Sequence, residues 1–451
     1  MNLGQLLRGD SGHIRERNAA IGRAAGHGGR LRVPAHRATT AHLAGAYPFV
    51  AEGGLGHAGV YIGRDLFGGA FVFDPWELYR QRQITNPNLL VIGQLGVAKS
   101  SLVKTLLWRS QTFGRAAVVA DPKGEYTELA HACGVEPVRI GPGLPARLNP
   151  LDPGPAAGSI APEELARRRL DLLATLLAAS LTRPLRPVEH AALGLALTET
   201  TRATDGRPTL PDVVAALLGP TEAAANALRL TVAELAIDSR DAALELRRLC
   251  EGDLRGMFDG PTTVRPDFDA PLVVLDLSAI YGTAAMPLLM ICATTWLHAA
   301  LTAPGQYRYV LIDEAWALLQ TVSTARWLQA SYKLCRQYGV ANIAAIHRLS
   351  DLSAAGADGT EQRELAKGLL ADAETRVIYR QAPGEIAAAR ELLGLTDTEA
   401  AIIPTLPAGV ALWRVGGRSF VVEHRRAPGL EMTITDTDAR MVSDGITGRV
   451  A

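Results

Sequence analysis

The chain has 451 residues, enough for two or three structural units and a large buried core. Hydrophobic residues make up 48% and charged residues 20%, a globular balance that excludes wholesale disorder. Lys+Arg and Asp+Glu are equal at 46 each, which excludes a chain that is basic throughout for nucleic-acid binding but leaves room for a local basic groove.

Residues 1–45 are rich in Gly, Arg and His without any period and are expected to form a flexible basic arm. An apolar signal segment is not expected, because Arg and Asp interrupt the first residues. GVYIG and AFVFDP, on either side of RDLFGG, predict a hairpin. Strand-length apolar runs follow: LLVIG (89–93), AAVVA (116–120), PLVVLD (271–276), YVLID (309–313), ANIAAI (341–346), TRVIY (375–379) and GVALW (409–413). Such continuous runs suit strands buried on both faces of a parallel sheet, and helical segments alternate with them. The pattern predicts an α/β fold with a mainly parallel central sheet.

Residues 160–256 hold no strand signal and read as amphipathic helices separated by Pro184, Pro187, Pro208, Pro211 and Pro220. The expected organisation is therefore a first α/β part (46–158), an inserted all-helical domain (159–260), a second α/β part (261–426) and a tail (427–451). Residues 282–301 carry no charge over about the length of a membrane span, but Pro287 and His298 favour a buried helix of a cytoplasmic protein. Cys133, Cys250, Cys292 and Cys335 are far apart and are expected to be free thiols. Only five basic residues are lysines (Lys99, Lys104, Lys123, Lys333 and Lys367), a skew that reads as GC-rich coding bias.

The stretch NPNLLVIGQLGVAKSSLVKTLL is strand, glycine loop, helix, the context a phosphate-binding loop requires. Backbone N–H groups of such a loop point at phosphates, and the helix N-terminus favours their charge. The expected nucleotide-binding set is Gly93, Gln94, Leu95, Gly96, Val97, Ala98, Lys99, Ser100 and Ser101. Lys99 would reach the β- and γ-phosphates of ATP, and Ser100 would complete a Mg²⁺ shell. Ala98 departs from the usual glycine; its Cβ either crowds the phosphate or demands an uncomfortable dihedral.

Tyr309–Ile312 leads into Asp313 and Glu314, more than 200 residues after the loop, a separation the helical insert explains. Asp313 is assigned to Mg²⁺ and Glu314 to general-base work on the attacking water. In DPKGEY, Asp121 or Glu125 either approaches the metal or forms a plain turn. His347, just past the end of a strand, is placed to sense the γ-phosphate. Arg336, Arg376 and Arg380 are candidates for an arginine acting across a subunit interface.

Together with LNPLDP (148–153), VVLDLSAIY, DEAWALL and LLGLTDTEAAIIPTLPAGVALWRVGGR, these motifs resemble the conjugative type IV secretion ATPases of the VirB assembly type, in the HerA/FtsK branch of RecA-like P-loop NTPases. The resemblance runs from about Ala46 to about Arg426. It implies a RecA-like ATPase using ATP and Mg²⁺, working as a hexameric ring or as dimers that build one. It further implies a place at the inner face of the cell membrane, membrane-embedded secretion or conjugation subunits as partners, and a DNA contact. His347 stands where the family more often carries glutamine. The family's large N-terminal domain is expected to be missing, since about 45 residues precede the resemblance. A HerA/FtsK-like or coupling-protein-like DNA translocase, and a nucleotide-sensing scaffold with weak turnover, are the alternative functions.

Overall fold

The computed structural model describes residues 54–66, 69–153, 161–264, 266–283, 286–300, 307–319, 322–333, 335–347 and 361–436. The expected arm 1–45 lies outside them, as do most of the tail and the hairpin tip at 67–68.

The hairpin forms from β1 (Val60–Asp65) and β2 (Ala70–Phe73). Helix α1 (Pro75–Arg80) follows, capped by Asp74, whose Oδ1 accepts the N–H groups of Trp76 and Glu77. Next come β3 (Leu89–Ile92), α2 (Lys99–Ser110), β4 (Ala116–Asp121), α3 (Thr127–Ala132) and the short β5 (Val138–Arg139). Every regular element described in the insert is a helix: α4 (Pro162–Leu181), α5 (Pro187–Ala203), α6 (Leu210–Leu218), α7 (Glu222–Ala227), α8 (Val232–Asp238) and α9 (Arg240–Glu251). Four further strands alternate with helices in the next stretch: β6 (Leu272–Asp276), α10 (Met286–Ala300), β7 (Arg308–Ile312), α11 (Val322–Lys333), α12 (Cys335–Tyr338), β8 (Val340–Ile346), α13 (Glu361–Ala371) and β9 (Thr375–Ile378). The chain then runs through α14 (Ile386–Leu393), α15 (Asp397–Ile402), β10 (Val410–Val415), β11 (Arg418–His424) and α16 (Leu430–Ile434). Within the expected tail (427–451), α16 forms.

The described strands make one sheet in the order β2-β1-β11-β10-β9-β3-β8-β7-β4-β6-β5. From β9 to β5 neighbours pair in parallel; β10, β11, β1 and β2 continue it antiparallel. In the parallel part, alternate residues feed two cores because side chains alternate between faces. Leu90, Ile92, Val118, Ala120, Val310 and Ile312 meet a core that includes the insert helices, among them Leu173 and Leu177 of α4. Leu89, Val91, Ala117, Val119, Tyr309 and Leu311 meet the other core, with Leu102 and Leu106 of α2. Among the described residues the insert's buried side chains share one core with the sheet, and its helices form a layer on it.

The uncharged segment at 282–301 contains α10. Its Leu289, Ile291 and Trp296 are buried in the insert-side core, and no helix among the described residues is long and apolar enough to cross a membrane. Cys250, Cys292 and Cys335 are buried free thiols, while Cys133 is partly exposed.

Candidate functional site

Parallel strands bring their carboxyl ends to one edge, and that edge collects Gly93, Asp121, Asp276, Asp313, His347 and Arg380. Strand order sets their neighbours. β8 lies between β3 and β7, so His347 stands between the glycine loop and the acidic pair.

The loop is shaped by three constraints. At Gly93 a Cβ would stand 2.5 Å from Tyr379 Cβ and 2.9 Å from Val97 Cγ2, so this position admits only glycine. Gly96 (φ 74°) and Ala98 (φ 74°, ψ 29°) are left-handed, the backbone conformation from which anion-binding loops are built. Val97 is buried in the α2-side core, and its carbonyl accepts from Gly409 N at 3.3 Å, anchoring the loop to the sheet. Leu95 at the tip is 73% exposed. Gln94 N faces the Arg380 carbonyl at 3.5 Å. No side chain caps α2, so its first N–H groups stay free of a capping oxygen. Ser100 is half-buried; Ser101 is buried, and its Oγ has no hydrogen-bond partner among the described residues.

Lys99 is buried and donates to the carbonyls of Gly93 (2.5 Å) and Gln94 (2.7 Å) and to His347 Nδ1 (3.0 Å). Burial lowers its pKa to about 8, against the raising influence of Asp313 and Glu314. With an ammonium donating at Nδ1, the imidazole carries its proton on Nε2, which lies 2.7 Å from Glu314 Oε1. Glu314 is almost fully buried, has a left-handed backbone (φ 54°), and pairs with the Lys123 ammonium. Asp313 Oδ1 accepts Glu314 N–H at 2.9 Å. Burial, then the charges of Glu314, Glu125 and Asp121, push Asp313 up to about 7.

This arrangement fits a nucleotide with Mg²⁺. The uncapped start of α2 offers backbone N–H groups, and Ser100 and Asp313 offer hard oxygens. Asp313 sits among carboxylates whose mutual repulsion a divalent cation would relieve. Among the described residues no three His, Cys, Asp or Glu side chains form a metal cluster by themselves.

The other predicted residues divide between this edge and the rest of the fold. Both oxygens of Asp121 are taken by its own turn, Oδ1 by Lys123 N (3.1 Å) and Gly124 N (2.8 Å), Oδ2 by Tyr126 N (2.9 Å), so Asp121 shapes the turn. Glu125 Oε2 is buried without a partner among the described residues. Arg376 donates to the carbonyls of Ala373, Leu370 and Leu393, capping helix ends, and is not available to a neighbouring copy. Arg336 precedes β8 and is exposed at the opposite edge of the sheet; the fold does not bring it to this site. Arg380 is exposed on the site's own edge. Sequence reasoning missed Lys123. The usable signal was its rarity, since three of the chain's five lysines, Lys99, Lys104 and Lys123, gather here.

A glycine loop between β3 and α2, acids after β7 and a third strand between them define a RecA-like P-loop NTPase fold. No protein-family model matches the chain, and no curated protein does. Among solved structures, it is similar to VirB4 of Thermoanaerobacter pseudethanolicus, with a TM-score of 0.64 and 22% identity, covering 85% of this chain and 99% of that one. It is also similar to the bacterial conjugative coupling protein TrwB in unbound form, with a TM-score of 0.55 and 16% identity, covering 82% of this chain and 91% of that one. The plasmid coupling protein TrwB in complex with the non-hydrolysable ATP analogue ADPNP aligns with a TM-score of 0.51 and 18% identity, over 82% and 96% of the two chains. The chain has the fold these proteins share.

Proposed function

We propose that the chain is a Mg²⁺-dependent ATPase that powers a conjugation or type IV secretion machine. The observation that carries the reading is the contact series Lys99–His347–Glu314 beside Asp313, at the mouth of the glycine loop. The shared fold with VirB4 and with TrwB, which has been solved with an ATP analogue, supports it.

In this reading the N–H groups of residues 96–101 and the Lys99 ammonium hold the phosphates. Ser100 and Asp313 would hold Mg²⁺, which would supply neutralisation of the phosphate charge. Glu314 accepts a proton from the water that bonds to the γ-phosphorus. The bond to the β–γ bridging oxygen breaks, and its electron pair leaves with ADP. His347, hydrogen-bonded to both Lys99 and Glu314, links phosphate occupancy to the base. Arg380, exposed on this edge, is the arginine best placed to reach a neighbouring copy in a homo-oligomer, which we take to be a hexameric ring at the inner face of the membrane with secretion subunits and DNA as contacts.

Steady-state ATP turnover with Mg²⁺ tests the reading. Lys99→Ala is expected to lose nucleotide binding, whereas Glu314→Gln is expected to retain it and lose hydrolysis. Unchanged turnover in both variants would refute the site. The likeness to a coupling protein favours a second reading, a DNA translocase. Strong stimulation of turnover by DNA would select it; indifference to DNA would select an assembly ATPase.

A further inference from the structure

The mechanism above leaves the Lys123 ammonium unused. It comes from the turn after β4, pairs with Glu314 Oε1, and lies 3.4 Å from His347 Nε2. Lys99 approaches the same imidazole from its other nitrogen, at 3.0 Å. Two ammonium groups therefore face one ring at the carboxyl edge of the sheet, one on each side. Lys99 is buried among loop carbonyls, while the Lys123 side chain keeps 20% of its surface open, with the exposed Tyr281 ring 5.8 Å from Nζ. The residue type itself is informative. This chain uses arginine for nearly all its positive charge, yet keeps lysine here and at Lys99. A compact ammonium with three rotatable donors differs from a planar guanidinium fork, and it can exchange one oxygen partner for another in a confined site.

We propose that Lys123 is a second phosphate-binding cation of the site, parked on Glu314 when no nucleotide is bound and transferred to the terminal phosphoryl group when a triphosphate enters. The transfer frees Glu314 for its water and supplies in cis a positive charge that other P-loop enzymes recruit from a neighbour. The inference rests on the nucleotide reading of this site and adds a residue to it.

Dissociation constants of the full chain for ADPNP and for ADP, both with Mg²⁺, test it without turnover. Lys123→Met is expected to weaken ADPNP binding at least tenfold and leave ADP binding within about twofold, because only the triphosphate offers the group Lys123 would hold. Glu314→Gln removes the resting partner of Lys123 and is expected to tighten ADPNP severalfold, a gain absent from the double variant. This second variant serves if Lys123→Met does not fold. Equal weakening of both nucleotides, or no change in either, would overturn the proposal and leave Lys123 as a structural counterion of Glu314. An unaltered ADPNP affinity in Glu314→Gln would overturn it too. A wild-type chain that binds neither nucleotide would instead refute the nucleotide reading itself.

Discussion

Ala98→Gly isolates the one departure in the phosphate loop. Ala98 is held at φ 74° and ψ 29°, directly before α2. A left-handed conformation costs an L-residue about 1–2 kcal/mol, which glycine escapes. Glycine also frees the unfolded chain, which takes back about 0.4–1 kcal/mol. Ala98 is half-buried, so deleting its methyl forfeits little packing. The net expectation is a gain of about 0.5–1 kcal/mol. In guanidinium unfolding this should raise the midpoint by about 0.1–0.2 M at unchanged slope. The left-handed turn already exists before nucleotide arrives, so the ADP dissociation constant should stay within about threefold. A lowered midpoint would refute the strain argument. A tenfold tighter Kd at an unchanged midpoint would show that the methyl crowds the phosphate and that the dihedral is harmless.

Two further changes test the packing around the site. Gly93→Ala drives a Cβ into Tyr379 and Val97, both buried, and should cost about 1–3 kcal/mol while weakening nucleotide binding; unaltered stability and affinity would contradict the contact distances. His424 on β11 has a buried Nε2 without a partner among the described residues, and burial, then the charges of Arg109 and Arg426, lower its pKa to about 4. A histidine whose folded pKa lies below the ordinary value of about 6.5 resists protonation in the native state. Its contribution is complete above pH ~6.5 and is lost as pH falls toward 4, a loss of up to about 3 kcal/mol. The raised pKa of Asp313 acts in the opposite sense, so the comparison must be between wild type and His424→Gln. The wild-type midpoint should fall relative to the variant's between pH 7 and 4.5; parallel curves would refute the assignment.

The parallel strands were legible because burial on both faces leaves little but Val, Ile, Leu and Ala in runs such as AAVVA and PLVVLD. β11 was missed because RSFVVEH puts polar residues at both ends of a short apolar centre, and β5 because two residues carry no period. Of the site, the loop and the acids were legible as local patterns. The partnership of Lys123 with Glu314 was not, because it is made by strand order: β4 and β7 are neighbours in space although the insert separates them in sequence. The helical insert was legible as helices, but its sharing of one core with the sheet was not, since periodicity tells which face is apolar and not what covers it.

The position of β3 has a consequence for how the protein is made. Leu89 pairs with Ile343 on one side and Thr375 on the other, both supplied by the last third of the chain. At ribosomal speeds the glycine loop emerges tens of seconds before either flank exists. During that interval LLVI is an apolar strand with two open edges, the kind of segment that chaperones shield and that otherwise self-associates. A product broken off before Val340 would carry every residue of the phosphate loop and still have no sheet position to hold it. The sheet position of the glycine loop thus exists only in a chain whose far end has threaded back beside its beginning, so on the nucleotide reading a truncated product would have no formed loop to bind with.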